Sequence, residues 1–274
     1  MTLAGGATVS VVVPTRNSAR TLAACLESIR AQTHEPLELV VVDNASSDGS
    51  DQLATRWADI VLRGGPERSA QRNRGAGESR GAFLFFVDSD MVLEPYVIAA
   101  SMEVVARGVD AVIIPEQSFG DGFWARCKTL ERSCYVGDDS IEAARFFRRS
   151  VFEAVGGYDE DLDAMEDWDL HERVRQTDAR VGRVDALIWH DEGRLRLAPL
   201  AAKKFHYGRS FGRYLTKHPR LARRQAQPFR QAFVRNRRRL AADPVTATGM
   251  LVMKLSEGVA GGAGLVSARV RSPG

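Results

Sequence analysis

Residues 80–91, RGAFLFFVDSDM, are apolar until they meet two aspartates, Asp88 and Asp90, with Ser89 between them. Two carboxylates at the end of a buried strand suit a solvated turn, or a seat for a hard divalent cation that takes oxygen ligands and substrate phosphates. The spacing alone does not decide, because Asp159/Asp161, Asp161/Asp163 and Asp167/Asp169 share it, but only Asp88/Asp90 directly follows a hydrophobic run. A second cluster, Asp43-Asn44-Ala45-Ser46-Ser47-Asp48-Gly49-Ser50, also follows an apolar run. It reads as turn chemistry with a helix cap, or as a loop whose Asp43 accepts hydrogen bonds from a base or ribose. Glu166, Asp167 and Asp169 open a helix-like stretch. There acidic residues either favour the helix N-terminus or place a carboxylate to take a proton. His190 ends the apolar run 186–189 and is either structural or a further ligand, since histidine with carboxylates suits Mn²⁺ as well as Mg²⁺. His171, four residues after Asp167, shares its helical face and reads as a plain core or surface residue.

The elements that must position these groups alternate. Residues 9–13 (VSVVV), 37–42 (LELVVV) and 82–87 are continuous apolar runs, the pattern of strands buried on both faces. Short strands are expected at 59–62 and 111–114. Between them lie helix patterns: one with Leu22, Leu26 and Ile29 on one face and a cap at Asn17 or Ser18, one after residue 47, and one over 69–79. Such alternation predicts a mostly parallel sheet whose ligands gather at the carboxyl ends of the strands. The polar clusters fall at those ends. Residues 117–137 read as irregular and aromatic, 143–155 as helical or mixed, and 186–189 as a late strand. There is no glycine-rich dinucleotide fingerprint after the first strand and no phosphate-loop motif.

The chain has 274 residues, 44% hydrophobic and 27% charged, as in an ordinary globular protein. The cysteines Cys25, Cys127 and Cys134 lack metal or redox spacing, which fits a reduced, cytoplasmic setting. The N-terminal run reads as a strand and not as a signal peptide, and no apolar stretch approaches the roughly 20 residues that span a bilayer. Charge is unevenly spread. Residues 194–240 hold fifteen Lys or Arg and no Asp or Glu, leaving the remainder with a net charge of −12.

Taken in order, several segments resemble the inverting nucleotide-sugar glycosyltransferases of family 2, which have the GT-A fold. They are Val11-Val12-Val13-Pro14-Thr15-Arg16-Asn17, Val41-Val42 with the 43–50 loop, Ala70-Gln71-Arg72-Asn73-Arg74-Gly75, Phe86-Val87-Asp88-Ser89-Asp90, Val155-Gly156-Gly157-Tyr158-Asp159 and Glu166-Asp167-Trp168-Asp169-Leu170. The resemblance covers about residues 8 to 190. It departs at Gln71, where the family usually has alanine, a difference that reads as minor. The resemblance implies an α/β, Rossmann-like GT-A fold and a UDP- or GDP-linked sugar donor. It implies a donor pocket from Pro14, Thr15, Arg16, Asn17, Asp43, Asn44, Ser46, Arg72, Asn73, Asp88 and Ser89. It implies a Mn²⁺ or Mg²⁺ ion at Asp90, with Asp88 and His190 as further candidates. Asp167 would be the general base, with Glu166 as second candidate. Rival readings are a retaining transferase on the same fold, a nucleotidyltransferase, which would want a glycine-rich basic loop where Pro14–Asn17 stands, and a non-catalytic nucleotide-sugar binding module.

The expected division is a GT-A domain over 1–193 and a basic helical extension over 194–274. That extension interleaves its basic residues with Phe205, Tyr207, Phe211, Tyr214, Phe229 and Phe233. Its readings are a solvated helix pair, a nucleic-acid surface, which the catalytic motifs upstream argue against, or a segment lying on an anionic membrane. The last is favoured. It suits a peripheral enzyme on the inner face of the cell membrane with a lipid-linked or glycan acceptor.

Overall fold

In a computed structural model, residues 6–138, 140–225 and 231–271 are described; Phe229 lies outside them. The first part runs β1 (Val9–Thr15), α1 (Ala19–Arg30), β2 (Leu37–Asp43), α2 (Ser50–Trp57), β3 (Ile60–Arg63), α3 (Arg68–Glu78), β4 (Phe83–Phe86), β5 (Met91–Leu93), α4 (Val97–Ala106) and β6 (Ala111–Ile113). Then come β7 (Glu116–Asp121), α5 (Phe123–Ser133), β8 (Ala144–Arg148), α6 (Arg149–Ala154), α7 (Glu166–Arg175), β9 (Val181–Arg183) and β10 (Ile188–Arg194). The chain ends in α8 (Leu197–Lys217), α9 (Pro219–Gln225), α10 (Gln231–Arg235), α11 (Arg237–Ala242) and α12 (Pro244–Arg271). It forms two compact units. One takes residues up to 116, 143–161 and 166–190, the other 117–142, 162–165 and 191 onward.

The first unit is built on a seven-stranded sheet of order β3-β2-β1-β4-β8-β6-β9. β1 pairs in parallel with β2 and β4, and β2 with β3, while β8 runs antiparallel between β4 and β6. The fold is therefore the expected α/β architecture. Both sheet faces are covered, which explains why β1 has no polar alternation. Val9, Val11 and Val13 pack with Leu22, Leu26 and Ile29 of α1. Val12, Val40 and Val42 pack on the other side with Ala76 of α3 and Leu170 and Val174 of α7. Each fully buried α1 side chain contributes about 1.5–3 kcal/mol. Helix α3 lies so close to the sheet that a Cβ on Gly75 would stand 2.4 Å from a Val12 methyl, so only glycine fits there. β5 pairs antiparallel with the start of β10, Met91 opposite His190.

The start of α1 corrects the expected cap. Neither Asn17 nor Ser18 caps the helix with its side chain. Instead Asp48 accepts from Ala19 N at 2.9 Å and Ser50 Oγ from Ser18 N at 2.8 Å, so the loop after β2 caps the helix after β1. One more reading is corrected: residues 117–137 are ordered as most of β7 followed by α5. Residues 143–155, read as helical or mixed, are mixed, with a sheet strand, β8, before the short α6. The late strand begins at Ile188 and continues to Arg194.

In the second unit, Cys127 of α5, Phe233 of α10 and Met250 and Met253 of α12 share a core. A buried ionic cluster joins α5 to α12. Glu131 meets Lys254 at 2.8 Å and Lys128 at 2.9 Å, and Glu257 meets Lys254 at 2.9 Å. Helices α8 and α12 touch backbone to backbone: a Cβ on Gly208 would fall 2.0 Å from the Gly261 carbonyl oxygen, and one on Gly264 equally close to that of Phe205. No described helix is long and apolar enough to cross a membrane.

Candidate active site

Adjacent parallel strands deliver their C-terminal residues to one edge. Thr15 closes β1 opposite Asp43 of β2, and Asp88 stands two residues beyond β4. The loops there are zipped together. Asn17 Oδ1 accepts from Ser47 N at 2.9 Å, Asn17 N donates to Ser46 Oγ at 2.8 Å, and Ser89 Oγ donates to Ser18 Oγ at 2.9 Å. Asp43, almost fully buried, accepts from Ser46 N at 2.9 Å and Ser46 Oγ at 2.5 Å, which fixes the turn. Asn44 donates its amide to Pro66 O at 2.9 Å. Asn17 and Ala45 both have φ near +50°, a conformation that costs a non-glycine residue free energy and tends to occur at functional sites. Arg16 is exposed at this edge and Pro14 is buried in the strand.

The centre is a buried charge network. Arg72, fully buried on α3, reaches Asp88 Oδ1 at 2.5 Å and both Glu166 Oε1 and Asp167 Oδ1 at 3.1 Å. Arg145 on β8 donates to Glu116 Oε1 at 2.6 Å and stands 3.4 Å from Asp88 Oδ2 and 3.5 Å from Asp167 Oδ2. Tyr158 OH donates to Asp167 Oδ1 at 3.2 Å, and the Arg72 guanidinium stacks over the Tyr158 ring. The two guanidinia thus hold the strand-end Asp88 and the helix-start Asp167 in one cluster. Charge sets their protonation. Burial alone would raise Asp88, but Arg72 and then Arg145 outweigh it and hold this carboxyl well below its usual range. Burial, then the neighbouring Asp167, pushes Glu166 up in spite of Arg68 and Arg72. Glu166 is buried, whereas the Asp167 side chain keeps 23% exposure, so Asp167 is the more open of the two.

Not every residue expected here joins the cluster. Asn73 holds the turn after α6 instead, donating to Tyr158 O at 2.9 Å and Glu160 Oε1 at 2.8 Å and accepting from Tyr158 N. His171 is a core residue whose Nδ1 accepts from Ala144 N at 3.1 Å. Of the three candidate metal ligands, Asp90 and His190 stand together, Oδ2 to Nε2 at 3.4 Å, while the Asp88 carboxylate is turned to the arginines. Among the described residues no three His, Cys, Asp or Glu converge as a metal cage. One oxygen and one nitrogen donor at that spacing suit two ligands of a single small cation, which bind at about 2.0–2.2 Å. Its other positions would fall to substrate oxygens and water.

Sequence reasoning missed Arg145, Tyr158 and the role of Gln71. The Gln71 amide is buried and donates to Val42 O at 2.8 Å and Thr15 O at 3.1 Å, tying the ends of β2 and β1 together. The departure at this position is therefore not minor. Thr15 Oγ1 and Arg145 Nη1 are buried and hydrogen-bond to nothing among the described residues, so the site keeps polar capacity for a ligand.

The family model for Glycosyl transferase family 2 matches residues 10–156. Among curated proteins, the chain is 25% identical over 231 residues to the succinoglycan biosynthesis protein ExoA of Rhizobium meliloti, covering 76% of this chain and 70% of that one. It is 28% identical over 188 residues to a PGL/p-HBAD biosynthesis glycosyltransferase of Mycobacterium bovis, covering 64% of this chain and 72% of the relative. Among solved structures, the mannosyltransferase PcManGT of Pyrobaculum calidifontis, in complex with GDP-Man and Mn²⁺, superposes with a TM-score of 0.59 at 18% identity, over 98% of this chain and 76% of that one. S. aureus TarS 1-349 with UDP-GlcNAc gives a TM-score of 0.54 at 18% identity, over 74% of this chain and 64% of that one.

Proposed function

The chain belongs to glycosyl transferase family 2 and is a nucleotide-sugar glycosyltransferase, and from that premise we propose that it transfers a sugar with inversion from a nucleoside diphosphate to a hydroxyl acceptor. The observation that carries the reading is the pair Arg72 and Arg145, which couples Asp88 at the donor edge to Asp167 at the start of α7. Asp167 takes the proton of the acceptor hydroxyl as its oxygen forms the new bond to the anomeric carbon. The bond from that carbon to the diphosphate breaks on the opposite face, and the electron pair leaves with the phosphate oxygen. Tyr158 and the two guanidinia orient Asp167. Thr15, Asn17 and Asp43 bound the base and ribose, and the unpartnered Arg145 Nη1 offers a hydrogen bond to a diphosphate oxygen. Asp90 and His190 would hold a divalent cation, Mn²⁺ or Mg²⁺, which supplies Lewis-acid stabilisation of the leaving diphosphate. The complexes of the structural neighbours with GDP-Man and Mn²⁺ and with UDP-GlcNAc support a donor of this class.

The relative named for succinoglycan biosynthesis supports a role in polysaccharide biosynthesis, and the acceptor proposed is a lipid-linked or cell-surface glycan precursor. The helices beyond residue 193 are assigned to acceptor or membrane association. The test is transfer from UDP- and GDP-sugars with Mn²⁺, comparing wild type with Asp167→Asn. Loss of a general base lowers turnover by about 10²–10⁴-fold, while donor affinity measured by calorimetry stays near wild type. An Asp167→Asn enzyme that turns over normally ends the reading, and retention of the donor anomer in the product, read by NMR, ends the inverting part.

A further inference from the structure

Among its described side chains, helix α12 turns an uncharged face to solvent. Val245, Val252, Leu255, Val259, Val266 and Val270 are 46–79% exposed, and the outward positions between them are Thr248, Leu251, Gly258, Gly262 and Ala263. The charged residues whose side chains are described on this helix, Lys254 and Glu257, belong to the buried cluster with Lys128 and Glu131. A helix of 28 residues is about 42 Å long, so this is a long apolar strip and not a scattered set of surface valines. It does not qualify as a span. Neighbouring helices carry the opposite character: α8, α9 and α11 bear Lys203, Arg213, Lys217, Arg223 and Arg237 among others, and residues 194–240 have no acidic residue.

We propose that the outward face of α12 is the membrane-contacting surface of the protein, lying in the plane of an anionic lipid bilayer with its aliphatic side chains among the acyl chains and the basic helices on the head groups. An apolar strip beside basic helices is the composition of an interfacial segment. The main competing occupant is a second copy of α12, because Val245, Val252, Val259 and Val266 recur every seven residues. Charge opposes it. α8 and α11 pack against α12, and residues 194–240 hold no acidic residue, so pairing two copies brings two strongly basic segments together. Small residues at the flanking positions Gly258 and Ala263 also leave no charged pair to select a partner helix. This inference extends the membrane side of the proposed function and does not depend on the donor chemistry.

The experiment is vesicle flotation of the full chain with phosphatidylcholine alone and with 30% phosphatidylglycerol, before and after Val252→Glu with Val259→Glu. The expected result is binding to the anionic vesicles that falls at least tenfold in the double variant, with donor affinity measured by calorimetry unchanged. Val259→Trp, a folded reporter, is expected to shift its emission to the blue on adding the anionic vesicles. Unchanged flotation of the double variant, an unshifted tryptophan, or a dimer in light scattering that the same substitutions dissolve would each overturn the proposal. A donor-inactive protein that still floats leaves it standing and fails the transferase reading instead.

Discussion

Replacing Gln71 by methionine keeps most of the side-chain volume and deletes the two hydrogen bonds to Val42 O and Thr15 O. Each such bond contributes about 0.5–1.5 kcal/mol net, so the loss is about 1–3 kcal/mol. Thr15 O keeps a second donor, Asn44 N at 2.9 Å, which places the loss toward the lower end of that range. At about 2–4 °C per kcal/mol for a large domain, the melting temperature drops by about 2–12 °C. The strand ends that Gln71 ties carry Pro14, Thr15 and Asp43, so a looser edge is expected to raise the donor KM by about tenfold or less, the equivalent of about 1.4 kcal/mol, with little change in kcat. Gln71→Glu, which sets an acceptor against two carbonyl oxygens, is expected to be worse on both counts. Thermal unfolding with a fluorescent dye and initial rates over a donor titration measure the two effects. A Gln71→Met protein that melts within about 1 °C of wild type and keeps its donor KM would refute the tie between β1 and β2.

Arg145→Ala removes one guanidinium from a buried network and breaks its ion pairs with Glu116, Asp88 and Asp167; urea unfolding should show about 3–5 kcal/mol of lost stability. Arg145→Lys restores the charge but not the fork that meets Glu116, Asp88 and Asp167 together, so it should recover part of the stability and less of the turnover. In the second unit, burial would raise Glu131, but Lys128 and Lys254 hold it well below its ordinary value of 4.5, with Tyr135 OH and Glu257 completing its surroundings. A depressed carboxylate stabilises the fold above its unfolded pKa, so this contribution is lost as pH falls below 4.5. Melting curves from pH 7 to pH 3 should therefore fall less steeply for Glu131→Gln than for wild type, from a lower starting point at pH 7.

β1, β2 and β4 were legible because both faces of the sheet are covered, which leaves long valine and phenylalanine runs that little else produces; the short β5 and β9 carry no such run. Asp43 and Asp88 stood out because polar residues follow those runs abruptly, whereas Asp167 follows no such run and was singled out only through the order of motifs that resembles family 2. Arg145 was not, since it sits in AARFFRRSVFEAV, where the apolar spacing fits a helix as well as a strand, and only the antiparallel β8 turns it into the site. α5 was hidden by a mixed aromatic and charged composition whose apolar positions pack within the second unit, and β7 by having the exposed Phe119 as its one large apolar residue. Asn73, expected at the donor site beside Arg72, has its amide engaged with Tyr158 and Glu160, partners that its place in the sequence does not reveal. The cap of α1 escaped because Asp48 and Ser50 lie thirty residues along the chain from the helix they serve.

Arg72 and Arg145 are each surrounded by several carboxylates, and this shapes what mutagenesis of the site reports. Deleting any single member frees an opposite charge inside the protein, so a one-at-a-time scan mixes the missing role with the damage from the stranded neighbour. Paired exchanges that remove a cation and an anion together, such as Arg145 with Glu116, leave the interior electrically even. They are the substitutions from which the working part of each residue can be read.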